Sequence, residues 1–171
     1  MSKKYSYFQE VEKRVFQEDP GFFYEDFISG NTYKHWPGRT ITESDNIHGS
    51  LLFCNQHPLH INNEYGKQTE FGKTIVNSVI VFSIINGMTV TTLSSRCIAN
   101  LGWDKVELTN PVFVGDTIYS ASKVLRKRLS KSRNKQGIVT IETNGYNQNN
   151  ELIITFQRTF LVPCRENDCF D

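Results

Sequence analysis

What the chain lacks narrows its function first. No charge of one sign dominates: 19 lysines and arginines stand against 18 aspartates and glutamates, for a net charge of +1. There is therefore no general pull toward nucleic acid or an anionic membrane, and an anionic partner must be met by a local cluster. A long uninterrupted apolar run is also missing, because the most apolar stretch, Ile75 to Leu93, is broken by Asn77, Ser78, Ser83, Asn86 and Gly87. That argues against a membrane span. The polar residues after Met1 lack the apolar core of a signal peptide. Cys54, Cys97, Cys164 and Cys169 form neither a CxxC pair nor a His–Cys metal spacing. The expectation is a cytoplasmic protein with reduced, structural thiols, no metal, and neither a nucleic-acid nor a membrane partner.

What is present suits one globular domain: 171 residues, 38% of them hydrophobic and 22% charged. Tyr5, Phe8, Val11, Val15 and Phe16 recur every three to four positions, which predicts a short amphipathic helix within residues 1–20, closed before Asp19-Pro20-Gly21. The aromatic stretch Phe22 to Phe27 is expected to pack over the core edge. Turns follow at Ser29 to Thr32 and at Pro37-Gly38, with an extended segment from Tyr33 to Trp36 between them. Thr42 as N-cap and Asp45 at the third helical position open a helix through Ile47, Leu51, Leu52 and Cys54, which stops before Pro58. Glu64 to Lys73 reads as a polar loop.

Ile75 to Leu93 is rich in β-branched residues, which locally favours strand. Its length is excessive for a strand, and apolar side chains at 75, 79, 82, 85 and 88 recur at helical spacing, so one buried helix is predicted. Arg96 to Leu101 and Asp104 to Leu108 read as strands around a turn or bulge at Gly102-Trp103. After a loop over Asn110 to Asp116, three long alternating strands follow: Thr117 to Leu129, Gly137 to Tyr146 and Leu152 to Val162. A buried helix followed by consecutive long strands predicts an α+β domain, an antiparallel sheet wrapped on a helix.

Between the second and third predicted helices lies the polar turn Asn55-Gln56-His57-Pro58-Leu59-His60-Ile61-Asn62. Pro58-Leu59-His60 after a helix, a glycine-containing loop, an apolar helix and then Asn110-Pro111-Val112-Phe113-Val114-Gly115-Asp116-Thr117 resemble the MaoC-like hydratases. Those are hotdog-fold enzymes related to (R)-specific enoyl-CoA hydratases. The resemblance covers about residues 22–163, leaving 1–21 as an N-terminal extension and 164–171 as a tail. Gly38 to Asn46, Asn55 to His60 and Ala99 to Gly102 look most like the branch that hydrates dicarboxylic enoyl-CoAs, such as mesaconyl-CoA and itaconyl-CoA.

The family motif Gly-Asp-x-Asn-Pro-Leu-His falls on Cys54-Asn55-Gln56-His57-Pro58-Leu59-His60. His60 matches the catalytic histidine. Asn55 stands where the family has its catalytic aspartate, and His57 replaces the asparagine. An amide cannot take a proton as a carboxylate does, although it can hold a water or polarise a carbonyl. A one-base hydratase, a relocated acid and an inactive protein all remain open.

Adding water across an enoyl thioester needs a group to take a proton from water, a proton for the α-carbon, and a donor for the enolate-like oxygen. Histidine titrates near neutrality and suits the first two roles; without the resemblance, a structural histidine is the plainer reading of His60. The resemblance places the oxygen's donor at the Ser78 amide, at the start of the apolar helix, where unpaired N–H groups and the positive dipole end converge. Asn77 beside it is a substrate contact or a helix cap. His57 is a second catalytic group, an orienter of water or a substrate contact, or else caps the preceding helix. Arg39 has the fork to grip a second, free carboxylate, against the plainer reading of a surface arginine. Asp45 as a relocated acid competes with its capping role. Arg126, Lys127, Arg128, Lys131 and Arg133 could meet coenzyme A phosphates, or form a solvated hairpin.

The resemblance thus implies a hydro-lyase acting on an acyl-CoA thioester, with coenzyme A entering only as part of the substrate, no metal or redox cofactor, and a homodimer or dimer of dimers. A hotdog thioesterase and an inactive acyl-CoA-binding protein are the alternatives.

Overall fold

The computed structural model describes residues 7–165. In chain order these form strands β1 (Phe8–Glu12), β2 (Val15–Glu18), β3 (Thr32–Lys34) and β4 (Arg39–Thr40), helices α1 (Glu43–Leu52), α2 (Pro58–Ile61), α3 (Asn63–Lys67) and α4 (Ser78–Met88), then strands β5 (Ala99–Leu108), β6 (Thr117–Leu129), β7 (Gln136–Tyr146) and β8 (Leu152–Pro163). The main sheet is antiparallel with order β3-β6-β7-β8-β5, and β4 also pairs with β6. Inward and outward side chains alternate along the long strands, as on β8, where Phe156, Arg158, Phe160 and Val162 are buried. The ladder of β5 on β8 shifts register between Asn100 and Gly102, the bulge expected there.

The sheet wraps α4. Ile80, Val81 and Ile85 of the helix pack with Ile41, Ile118, Ile154 and Phe156. Gly145 lets the two layers approach: a Cβ on it would lie 2.7 Å from Ile154 Cγ2 and 2.9 Å from Ile85 Cδ1. A second cluster of Phe22, Phe27, Leu93, Val124, Val139, Ile141, Phe160 and Val162 closes one end, with Phe27 edge-on to Phe160 at 5.8 Å. The aromatic stretch therefore covers the core edge as expected. Among the described residues, no helix is long and apolar enough to cross a membrane.

Several expectations are corrected. Residues 8–18 form a hairpin rather than an amphipathic helix, and Tyr5 lies outside the described residues. Aromatic and β-branched residues on either side of Lys13-Arg14 favour paired strands, and Arg14 takes the left-handed conformation (φ 64°) that a tight turn needs. The stretch from Glu64 to Lys73 is not all loop, since its first residues belong to α3.

The apolar helix is shorter than its periodicity suggests. Ile75 is extended and bridges Phe113, while the Val76 N–H donates to the Val112 carbonyl at 2.8 Å. After Thr89 the chain widens into a π-helical turn over Val90–Ser94. Arg158, only 3% exposed, spans that turn: Nη1 donates to Thr89 Oγ1 and Ser94 Oγ at 3.3 and 3.0 Å, and Nε to Asn100 Oδ1 at 2.8 Å. The thiols are also not uniformly free. Cys54 and Cys97 are, whereas Cys164 is disulfide-bonded, and Cys169 lies outside the described residues.

His35 lies beneath the sheet edge, 6% exposed, with Nδ1 2.9 Å from Thr92 Oγ1 and Nε2 2.9 Å from Ser122 Oγ. Burial pushes its pKa down to about 4 from 6.5. The folded state then resists a proton that the unfolded chain accepts. Stability is fully present above pH 6.5, falls as pH drops toward 4, and falls no further on this account below it. Urea midpoints measured across that window should decline in the native protein and decline less in His35→Gln; equal slopes contradict the assignment.

Candidate active site

The site begins with the cap of α1. Thr42 Oγ1 accepts from the Asp45 N–H at 3.1 Å, and Asp45 Oδ2 accepts from the Thr42 N–H at 2.9 Å, completing the capping box. The Thr42 N–H, then its hydroxyl and the Arg39 guanidinium, hold the Asp45 carboxyl below its ordinary value against an upward push from burial. Asp45 therefore serves the helix end, with Arg39 Nη2 2.5 Å from its Oδ1.

At its far end α1 stops at Leu52 rather than at Cys54. Cys54 takes a positive φ of 57°, and the Asn55 N–H donates to the Ser50 carbonyl at 2.8 Å. The next two side chains are spent on the turn. Asn55 Oδ1 accepts from the His57 N–H at 3.2 Å, and His57 Nδ1 accepts from the Leu59 N–H at 3.2 Å. His57 thus caps α2, the helix that follows it, and Pro58 supplies the first helical residue, whose missing N–H is no loss.

His60 is half-buried in α2. Its Nδ1 lies 3.1 Å from the Ile75 carbonyl, which can only accept, so Nδ1 carries a hydrogen. In the neutral ring, Nε2 is then the basic nitrogen. The His57 and His60 ring centroids are 6.0 Å apart.

One residue missing from the sequence-level candidates ties this turn to α4. Asn46, 1% exposed, donates through Nδ2 to the carbonyls of His60 (2.8 Å) and Ile75 (3.2 Å), and its Oδ1 accepts from the Asn77 N–H at 3.0 Å. The signal available was a small polar stripe at helical spacing, Asn46, Gly49 and Ser50. Gly49 faces Ile80 so closely that a Cβ would lie 2.7 Å from its Cδ1. Ser50 Oγ accepts from Asn77 Nδ2 at 3.3 Å.

Asn77 is the N-cap of α4: its Oδ1 accepts from the Val79 N–H at 3.0 Å, and its carbonyl accepts from the N–H groups of Ile80 and Val81. Among the described hydrogen bonds these leave the exposed Ser78 N–H as the first-turn amide without an acceptor. Ser78 lines two cavities. One, of about 250 Å³, is bounded by Phe71, Ile75, Val81 and Leu108 to Val112; the other, of about 230 Å³, by Val79, Phe82, Val106, Leu108 and Ile154.

The structure thus brings His60, His57, Asn55, Asn77 and Ser78 around the junction of α1, α2 and α4. Arg39 stands apart, half-exposed on β4. With Lys34, Trp36, Ser83, Ile84 and Gly87 it lines a cleft of about 940 Å³ along the side of α4. In the basic hairpin, Lys127 is held by its own chain, with Nζ 3.1 Å from the Tyr24 carbonyl and over the Tyr24 ring. Among the described residues, no three His, Cys, Asp or Glu side chains converge as a metal site.

An antiparallel sheet curled around one helix, with a histidine turn against the helix start, defines a MaoC-like protein of the hotdog fold. The family model described as mesaconyl-CoA hydratase matches residues 3–171, and the chain belongs to that family. It is 33% identical over 148 residues to β-methylmalyl-CoA dehydratase of Chloroflexus aurantiacus, an alignment covering 86% of this chain and 42% of that one. A solved structure of a MaoC domain protein dehydratase from Chloroflexus aurantiacus is 31% identical, with a TM-score of 0.83, over 92% of this chain and 44% of that one. A Mycobacterium tuberculosis protein with a double hotdog fold shares the fold alone: 18% identity and a TM-score of 0.78, over 86% of this chain and 46% of that one. The chain therefore spans less than half the length of these relatives.

Proposed function

We propose that the protein adds water reversibly across the double bond of a short enoyl-CoA, dicarboxylic as in mesaconyl-CoA. The observation that carries this reading is the His60 ring, held by its Nδ1–H so that Nε2 can take and return a proton. His60 Nε2 takes a proton from water as the oxygen attacks the β-carbon, and the same proton is delivered to the α-carbon. The Ser78 N–H, at the positive end of α4, receives the charge that builds on the thioester oxygen. Asn55 and His57 are assigned to holding the attacking water or the substrate. Their oxygen and Nδ1 are engaged in the turn, which leaves the Asn55 amide NH₂ and His57 Nε2 for that task.

Arg39 is assigned to the second carboxylate. It sits at the edge of the large cleft whose other wall includes Ser83 and Ile84, about 8 Å along the helix axis from Ser78. Asp45 holds one side of the guanidinium and fixes its direction.

A second copy of this chain is the assigned partner, seated on β5. That strand pairs only with β8 among the described strands, and Leu101, Trp103, Val106 and Leu108 are each at least 40% exposed on it. The chain spans 42% of the length of β-methylmalyl-CoA dehydratase and 44% of the solved MaoC domain protein dehydratase.

Incubation with mesaconyl-CoA and crotonyl-CoA tests the reading. Loss of enoyl absorbance is expected, and His60→Ala should lower the rate by about 10²–10⁴-fold. Thiol release instead indicates a thioesterase, and no change with either substrate sinks the enzyme reading. Arg39→Ala should impair mesaconyl-CoA far more than crotonyl-CoA; equal impairment removes its carboxylate role. Sedimentation at the mass of a single chain contradicts the second-copy assignment.

A further inference from the structure

We propose that Asn46 is a positioning residue for the reaction: it locks the acid–base turn to the start of α4, and so sets both which nitrogen of His60 is basic and where the Ser78 amide points. The inference rests on His60 being the acid–base group. Its own support is the pattern of hydrogen bonds around a side chain that is 1% exposed.

All three polar positions of the Asn46 amide are used. Two donors reach the carbonyls of His60 and Ile75, and the acceptor takes the Asn77 N–H. None of those three backbone groups is served by a strand ladder. The His60 carbonyl is at the end of a four-residue helix, the Ile75 carbonyl precedes α4, and the Asn77 N–H belongs to its N-cap. The same Ile75 carbonyl also accepts from His60 Nδ1. Asn46 and the imidazole therefore share one acceptor, and moving that oxygen moves the group that fixes the tautomer of the ring.

The Asn77 N–H is the other lever. Asn77 caps α4 through Val79, and Ser78 is the next residue, so a shift of the Asn77 peptide turns the Ser78 N–H as well. One buried amide thus couples the proton-moving group to the oxyanion donor across 14 and 31 residues of sequence. Asparagine is required because two donors and one acceptor are needed on a short side chain. An ionised aspartate keeps the acceptor and loses both donors, and alanine loses all three.

Asn46→Asp and Asn46→Ala, compared with the native protein and His60→Ala, test this with mesaconyl-CoA as substrate and ¹⁵N spectra of the imidazole as a second readout. In both Asn46 variants kcat should fall by about 10²-fold while KM changes little, because geometry rather than binding is lost. The His60 ring should lose its Nδ1–H preference in the spectra. A folded variant that keeps native kcat and the native tautomer overturns the proposal, even if its melting temperature drops. Should Asn46→Ala not fold, Asn46→Asp, which preserves size and the Asn77 contact, decides alone. Full activity in His60→Ala removes the acid–base reading, whereas the imidazole spectrum of Asn46→Asp still reports on the lock itself.

Discussion

The junction between the histidine turn and the central helix depends on the Ile75 carbonyl, which receives both the Asn46 amide and the His60 ring. A helix start leaves N–H groups without intrahelical partners, and a short helix such as α2 leaves carbonyls in the same state. Buried backbone groups of this kind need partners, and leaving one unpaired costs about 1–3 kcal/mol. Asn46 serves three of them at once, and the helices cannot slide past one another without breaking that set. The proposed chemistry falls where the fold already needs a polar clamp.

The curved sheet makes this clamp possible by holding α4 on its inner face. Gly145 allows Ile85 and Ile154 to meet, and Gly49 allows α1 to lie directly on Ile80. The α1 contact carries Asn46 and Ser50 inward, where a larger residue at position 49 would lift them away. Arg158 ties the π-helical turn at the other end of α4 to Asn100 on β5. The helix is therefore fixed at both ends by buried polar side chains, while its middle is held by aliphatic packing.

Much of this was legible in the sequence, and the exceptions have physical causes. The long strands were readable from alternation, and the Thr42–Asp45 capping box from local spacing, because both are short-range signals. The proposed role of His60 rests on the family motif, since one half-buried histidine looks like any other in composition. The N-terminal hairpin is ambiguous in sequence because its apolar residues satisfy a helical spacing and a strand propensity together. The helix α4 starts later than the apolar periodicity indicates, because Ile75 and Val76 pair with residues 112 and 113, a contact that local periodicity cannot contain. Asn46 escaped because its role exists only when residues 60, 75 and 77 meet in space. The oxidised state of Cys164 was likewise hidden by spacing rules that consider only metal and redox motifs.

In the proposed reaction a single histidine moves the proton, with asparagine in place of the family aspartate. The rates of mesaconyl-CoA hydration by His60→Ala and Asn55→Ala, measured side by side, test this most directly. His60→Ala is predicted to lose about 10²–10⁴-fold, whereas Asn55→Ala, which gives up a water-holding amide and no proton-moving group, loses far less. An equal loss in the two variants would contradict it.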